Sequence, residues 1–159
     1  MRFFLVVSLL YPLIFSVALA KPNTLASPLK QIQTLRDSGR LDKAIQIGQH
    51  YLNAKPSNLD TDVALVVGLM FLQKKDYTAA ETYLNQVLKI SPHYLEAEIA
   101  LIQIRIAQRR PKEAQKLIQK VVQQAPHDSR VIKIQQDFKL SEIAEKNRHL
   151  KQIQSKRSH

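Results

Sequence analysis

The sequence predicts an all-α protein: a short solenoid of about three helix hairpins, closed at its C-terminal end by a further helix. Three observations carry this. Straight-chain helix formers and a few branched core residues fill long runs, glycine falls to 3 residues, and nothing reads as a period-2 strand. Pro56, Pro92 and Pro126 recur at spacings of 36 and 34 residues. Ala44, Ala80 and Ala114 repeat at the same two spacings, as do Leu52, Leu88 and Val122, so three columns share one register.

In chain order, the first twenty residues read as an address. Met1-Arg2 is a positive start, Phe3 to Leu10 is apolar apart from Ser8, and Ala18-Leu19-Ala20 supplies the small side chains that a signal peptidase accepts. Cleavage is expected after Ala20. The rival, an uncleaved anchor, has an apolar stretch at the short limit for a bilayer and interrupted by Pro12. Export after cleavage places the mature chain in the periplasm or outside the cell.

Residues 21–127 hold the repeats, with units at about 25–58, 61–94 and 95–128. In the first unit, Pro28 stands near a helix start, where proline is tolerated. Gly39-Arg40 makes its turn, and Leu41, Ala44, Ile45, Gly48 and Leu52 form a helical stripe. In the middle unit, helices are expected over Asp62–Gln73 and Thr78–Ile90, with a turn over Lys74–Tyr77. Its second helix sets Ala80, Leu84, Val87 and Leu88 on one face, and Pro92, which has no N–H to donate, ends it. The third unit repeats the stripe with Ala114, Leu117, Ile118, Val121 and Val122 before Pro126. Residues 129–159 form a capping helix, about Ser129 to Gln154, with Val131, Ile134, Phe138 and Ile143 as its packing stripe, and then a basic tail.

The middle unit resembles the tetratricopeptide repeat. Gly68 stands at the family's small position in the first helix, and Phe71 at its aromatic position one turn later. Asp76-Tyr77 matches the turn dipeptide, Ala80 the small residue of the second helix, and Ser91-Pro92 the closing turn. The outer units depart from the pattern: Ile32 and Leu35, then Ile102 and Arg105, replace the small and aromatic residues. The resemblance covers roughly Leu25 to His127. It implies a right-handed α-solenoid whose first helices line a concave, partner-binding groove.

By that register the groove carries Leu65, Leu69, Leu72, Ile99, Gln103 and Ile106, extended by Gln33 and Arg36 from the first unit. Val63 to Leu72 is apolar on every side, so this helix is either buried all round or covers a binding site. An apolar groove with a polar point suits a partner peptide or helix. The chain's own C-terminal helix, or a second copy in a homo-oligomer, is the competing occupant. Some relatives of this family clamp a C-terminal carboxylate with Lys, Asn and Arg. The matching positions here are Leu29, Gln33, Val66, Glu96 and Ala100, none of them a cation, which speaks against that ligand.

No catalytic constellation emerges. Absence of cysteine excludes disulfides, a thiolate metal site and a lipid-modified cysteine. The five histidines have no i, i+4 pair, and His93 and His127 follow turn prolines. There is no glycine-rich phosphate loop and no Gly-x-Ser-x-Gly elbow. No cofactor and no metal are expected. The net charge of +11 suits an anionic polymer or membrane surface, most of all through the tail, where Lys146, Arg148, Lys151, Lys156 and Arg157 meet no acid. Nucleic acid is disfavoured, since the tail has no aromatic platform after Phe138. The sequence therefore reads as a non-enzymatic envelope scaffold. A binder of anionic surfaces and a secreted interaction factor are its alternatives.

Overall fold

A computed structural model of the chain describes residues 27–54 and 59–157. The address segment with its cleavage point at Ala20, and Pro56, lie outside the described residues. Those residues form α1 (Pro28–Asp37), α2 (Leu41–Asn53), α3 (Thr61–Gln73), α4 (Tyr77–Ile90), α5 (Leu95–Ala107), α6 (Pro111–Gln124) and α7 (Ser129–Arg157). No strand occurs among them.

Each hairpin closes with the same backbone turn. Gly39, Lys75 and Arg109, spaced by 36 and 34 residues, all take positive φ, at 76°, 62° and 57°. The next N–H in each case, from Arg40, Asp76 and Arg110, reaches back to the carbonyls of Leu35, Phe71 and Arg105 at 2.9, 3.0 and 2.9 Å. This pattern satisfies carbonyls orphaned at the helix end. Asp76 then caps α4 by accepting from the Ala79 N–H, and Asp60 caps α3 through the Val63 N–H. Tyr77 is the first residue of α4 rather than part of the turn.

The hairpins α1–α2, α3–α4 and α5–α6 stack in order, and each first helix touches the next: α1 on α3, α3 on α5, α5 on α7. The three repeat alanines, Ala44, Ala80 and Ala114, are all 0% exposed. Small side chains at these positions let facing helices approach. Gly68 serves the same approach from α3: a Cβ there would meet Leu84 Cγ at 3.1 Å and Tyr83 Cβ at 3.3 Å. Phe71 fills the space beside it, stacked on Tyr83 with ring centroids 5.7 Å apart. Gly48 is tighter still, since a Cβ would fall 2.4 Å from Val67 Cγ2.

The seventh helix docks on α5 and α6 through Val131, Ile134 and Phe138 and touches neither α1 nor α3. It caps the last hairpin and leaves the inner face of the stack uncovered. Ile143, expected in this packing stripe, is instead 56% exposed. It follows Phe138 by five residues, which on a 3.6-residue period turns it off the buried face. The helix runs to Arg157, beyond the expected end near Gln154.

Candidate functional site

The inner face of the solenoid holds a recess of about 250 Å3 between α3, α5 and α7. Three of the expected groove residues meet there: Leu69 from α3, and Ile99 and Gln103 from α5. Ala100 and Ile134 complete an apolar floor. Glu96, Arg130, Lys133 and Asp137 form a rim of both charge signs.

Three of these four rim residues come from α7, which sequence reasoning treats as a cap alone. The signal was present in the helical period. Lys133, Ile134 and Asp137 stand three, four and seven residues after Arg130, on one face. Arg130 is held in place by a forked pair with Asp128, Nε to Oδ1 at 3.0 Å and Nη2 to Oδ2 at 2.7 Å. The side-chain and backbone hydrogen bonds from Arg130 lower the Asp128 carboxyl to about 2, and the same pair raises the guanidinium.

The remaining expected groove residues lie elsewhere. Leu65 is 5% exposed within the core, because α3 is covered on two sides by neighbouring hairpins. Leu72 is half-buried against the same core. On α1, Gln33 is half-buried and Arg36 donates to the adjacent Asp37 at 2.9 Å, so both stand outside the recess. Ile106 lines a separate hollow of about 330 Å3 near the α5–α6 turn, floored also by Pro111 and Phe138.

Two polar arrangements were not legible in the sequence. Arg105, at the aromatic position of the third unit, bridges three helices. It pairs with Glu81 of α4 through Nη1 at 2.5 Å and Nη2 at 3.1 Å, and with Glu113 of α6 through Nε at 3.1 Å. The hydrogen bond from Arg105 holds the Glu81 carboxyl below its ordinary range. Glu98 is 2% exposed and pairs with Lys120 Nζ at 2.6 Å, while its Oε2 has no hydrogen-bond partner. Both clusters sit between helices rather than opening on a cavity: the first ties the second hairpin to the third, and the second joins the two helices of the third. Among the described residues, no group of three or more His, Cys, Asp or Glu could hold a metal ion.

Comparison with known proteins agrees with this geometry. Residues 71–137 match the tetratricopeptide repeat family. Comparison with curated proteins gives no match. Among solved structures, the chain is similar to the second TPR domain of the human RPAP3 protein, solved by NMR in complex with the HSP70 peptide SGPTIEEVD. The TM-score is 0.62 at 17% identity, over 71% of this chain and 92% of that one. The family match begins inside α3, and the same hairpin stack extends back to Pro28, so the described residues share the tetratricopeptide-repeat fold.

Proposed function

We propose that this protein is a non-enzymatic scaffold that seats a segment of a protein partner in the recess between α3, α5 and α7. The observation that carries the reading is that α7 docks on the last hairpin and leaves this recess uncovered. An apolar floor with a rim of both signs suits an amphipathic peptide that buries an apolar anchor. The peptide-bound state of the similar TPR domain supports the general mode. The acidic tail of that peptide does not suit this chain, whose positions Leu29, Gln33, Val66, Glu96 and Ala100 offer no cation. The apolar start and the Ala18-Leu19-Ala20 pattern favour work in a bacterial envelope, such as a polysaccharide-export, pilus or outer-membrane assembly. No helix among the described residues is long and apolar enough to cross a membrane.

A photo-crosslinking residue in place of Gln103 tests the reading in cells, with the exposed Gln119 of α6 as control. Labelling of one partner from position 103 alone, lost in Leu69→Glu at unchanged helicity, is the expected result. Equal labelling from both positions, abolished by moderate salt, would favour the basic-surface reading instead. Cell fractionation with N-terminal sequencing of the product tests the address.

A further inference from the structure

The outer half of α7 carries an apolar seam that nothing in the chain covers. From Glu142 to Arg157 every residue is exposed. Of the six large exposed hydrophobic side chains among the described residues, five lie on this one helix: Ile132, Leu140, Ile143, Leu150 and Ile153. At about 100° per residue, Leu140, Ile143, Leu150 and Ile153 fall within an arc of roughly 140°. That arc faces away from Ile134 and Phe138, the side that docks on the solenoid. A helical arm of this length is marginal in water without a partner for its apolar stripe.

The arrangement of the seam names its own partner. Its apolar residues are placed symmetrically about the bond between Lys146 and Asn147. Antiparallel pairing of two copies about a twofold axis at that point sets Leu140 level with Ile153 of the other copy, and Ile143 level with Leu150. The charges divide at the same point: Asp137 to Lys146 carries three acids and two lysines, net −1, and Asn147 to Arg157 carries Arg148, Lys151, Lys156 and Arg157, net +4. Antiparallel pairing sets the first half of one arm beside the second half of the other, whereas a parallel pair would set the two basic halves against each other. An antiparallel arrangement also carries the two repeat stacks to opposite ends of the paired arms.

We infer that α7 is a self-complementary dimerisation arm, pairing antiparallel with a second copy of this chain through Leu140, Ile143, Leu150 and Ile153. The contact is isologous, so it closes at two copies rather than growing a filament. It sets the two inner-face recesses at opposite ends of one assembly. Two weak sites joined this way act together on a repeated partner.

The absence of cysteine makes the test direct, since any engineered thiol is the only one. Sedimentation of the intact protein as cells yield it should show a dimer at about 100 μM. Ile143→Glu should raise the dissociation constant by at least about tenfold, without loss of helicity, because this side chain is exposed in the single copy. Under mild oxidation, Asn147→Cys should link to itself and Ile153→Cys should not, since antiparallel copies hold the latter about 20 Å apart along the axis. A mixture of Leu140→Cys and Ile153→Cys should form the cross-linked pair. A monomer at every concentration would overturn the inference, as would self-linking of Ile153→Cys, which signals a parallel pair. So would binding of the monomer to anionic vesicles that Ile143→Glu abolishes, which would make the seam a lipid-facing surface.

Discussion

Replacing Gly48 by alanine sets two effects of known sign against each other. In a helix interior, alanine is favoured over glycine by about 1 kcal/mol. In this fold the added methyl would stand 2.4 Å from Val67 Cγ2, 3.6 Å from Ile32 Cδ1 and 3.9 Å from Val63 Cγ1. Val67 is 0% exposed, and a valine in a helix has one strongly preferred rotamer, so its methyl has little freedom to swing aside. Relief then requires α2 and α3 to part by about 1 Å, and overpacking of this kind costs about 1–3 kcal/mol. The balance is a net destabilisation of about 1–2 kcal/mol, once the propensity gain is set against it. Gly68→Ala is the internal control. Its nearest neighbours, Leu84 Cγ at 3.1 Å and Tyr83 Cβ at 3.3 Å, need yield only a few tenths of an ångström. The propensity gain should roughly cancel that strain, leaving Gly68→Ala within about 0.5 kcal/mol of wild type. Urea unfolding followed by circular dichroism measures both, with an unchanged m-value as the condition for comparison. A Gly48→Ala protein as stable as wild type, or more so, would refute the close α2–α3 approach and the packing register built on it.

Ala80→Asp should destabilise by roughly several kcal/mol, because it buries an unpaired carboxylate at a position with 0% exposure, and thermal unfolding reports it. Lys75→Gly should stabilise by about 1 kcal/mol in the same urea assay, since the exposed lysine occupies a left-handed turn conformation that glycine takes without a Cβ penalty. Lys120→Met should cost more stability than Glu98→Met: the first strands a buried carboxylate, whereas the second frees an exposed ammonium, and a double-mutant cycle separates the two. Glu81 has its folded carboxyl held below the ordinary 4.5 by Arg105, so its extra stability is present above about 4.5 and fades as the pH falls through the folded value. A Glu81→Gln protein should accordingly be less stable than wild type near neutrality, and the gap should narrow in acid titration.

The stacking of hairpins was legible because the stops and the close contacts use residues with few substitutes. Proline ends a helix by lacking a donor, and the repeat alanines are wholly buried, where a small side chain lets helices pack closely. The same columns located Gly68, Phe71 and Ala80 at the crossing of α3 and α4. The site was legible only in part. Leu69, Ile99 and Gln103 come together as the register implied, whereas Leu65 belongs to the core, since a helix apolar on all sides gives no period from which to tell inward from buried. Arg105 was hidden for a different reason: its partners Glu81 and Glu113 lie on two other helices, and pairings across elements leave no trace in local spacing. The seam on α7 was obscured by Ile143. Grouped with Val131, Ile134 and Phe138 it passes for packing, and only the five-residue step after Phe138 shows that it turns to the other side.

One more consequence lies in the placement of α3. It is touched by α1, α2, α4 and α5, and seven of its thirteen residues are buried. In a stack where neighbours hold only neighbours, such a member is the joint through which both halves sense each other. Its amides should exchange with solvent only when the whole array opens, while those at the far end of α7 exchange early. Damage at either end then stays local, and damage to this single rod is felt from the first turn of α1 to the docking of α7.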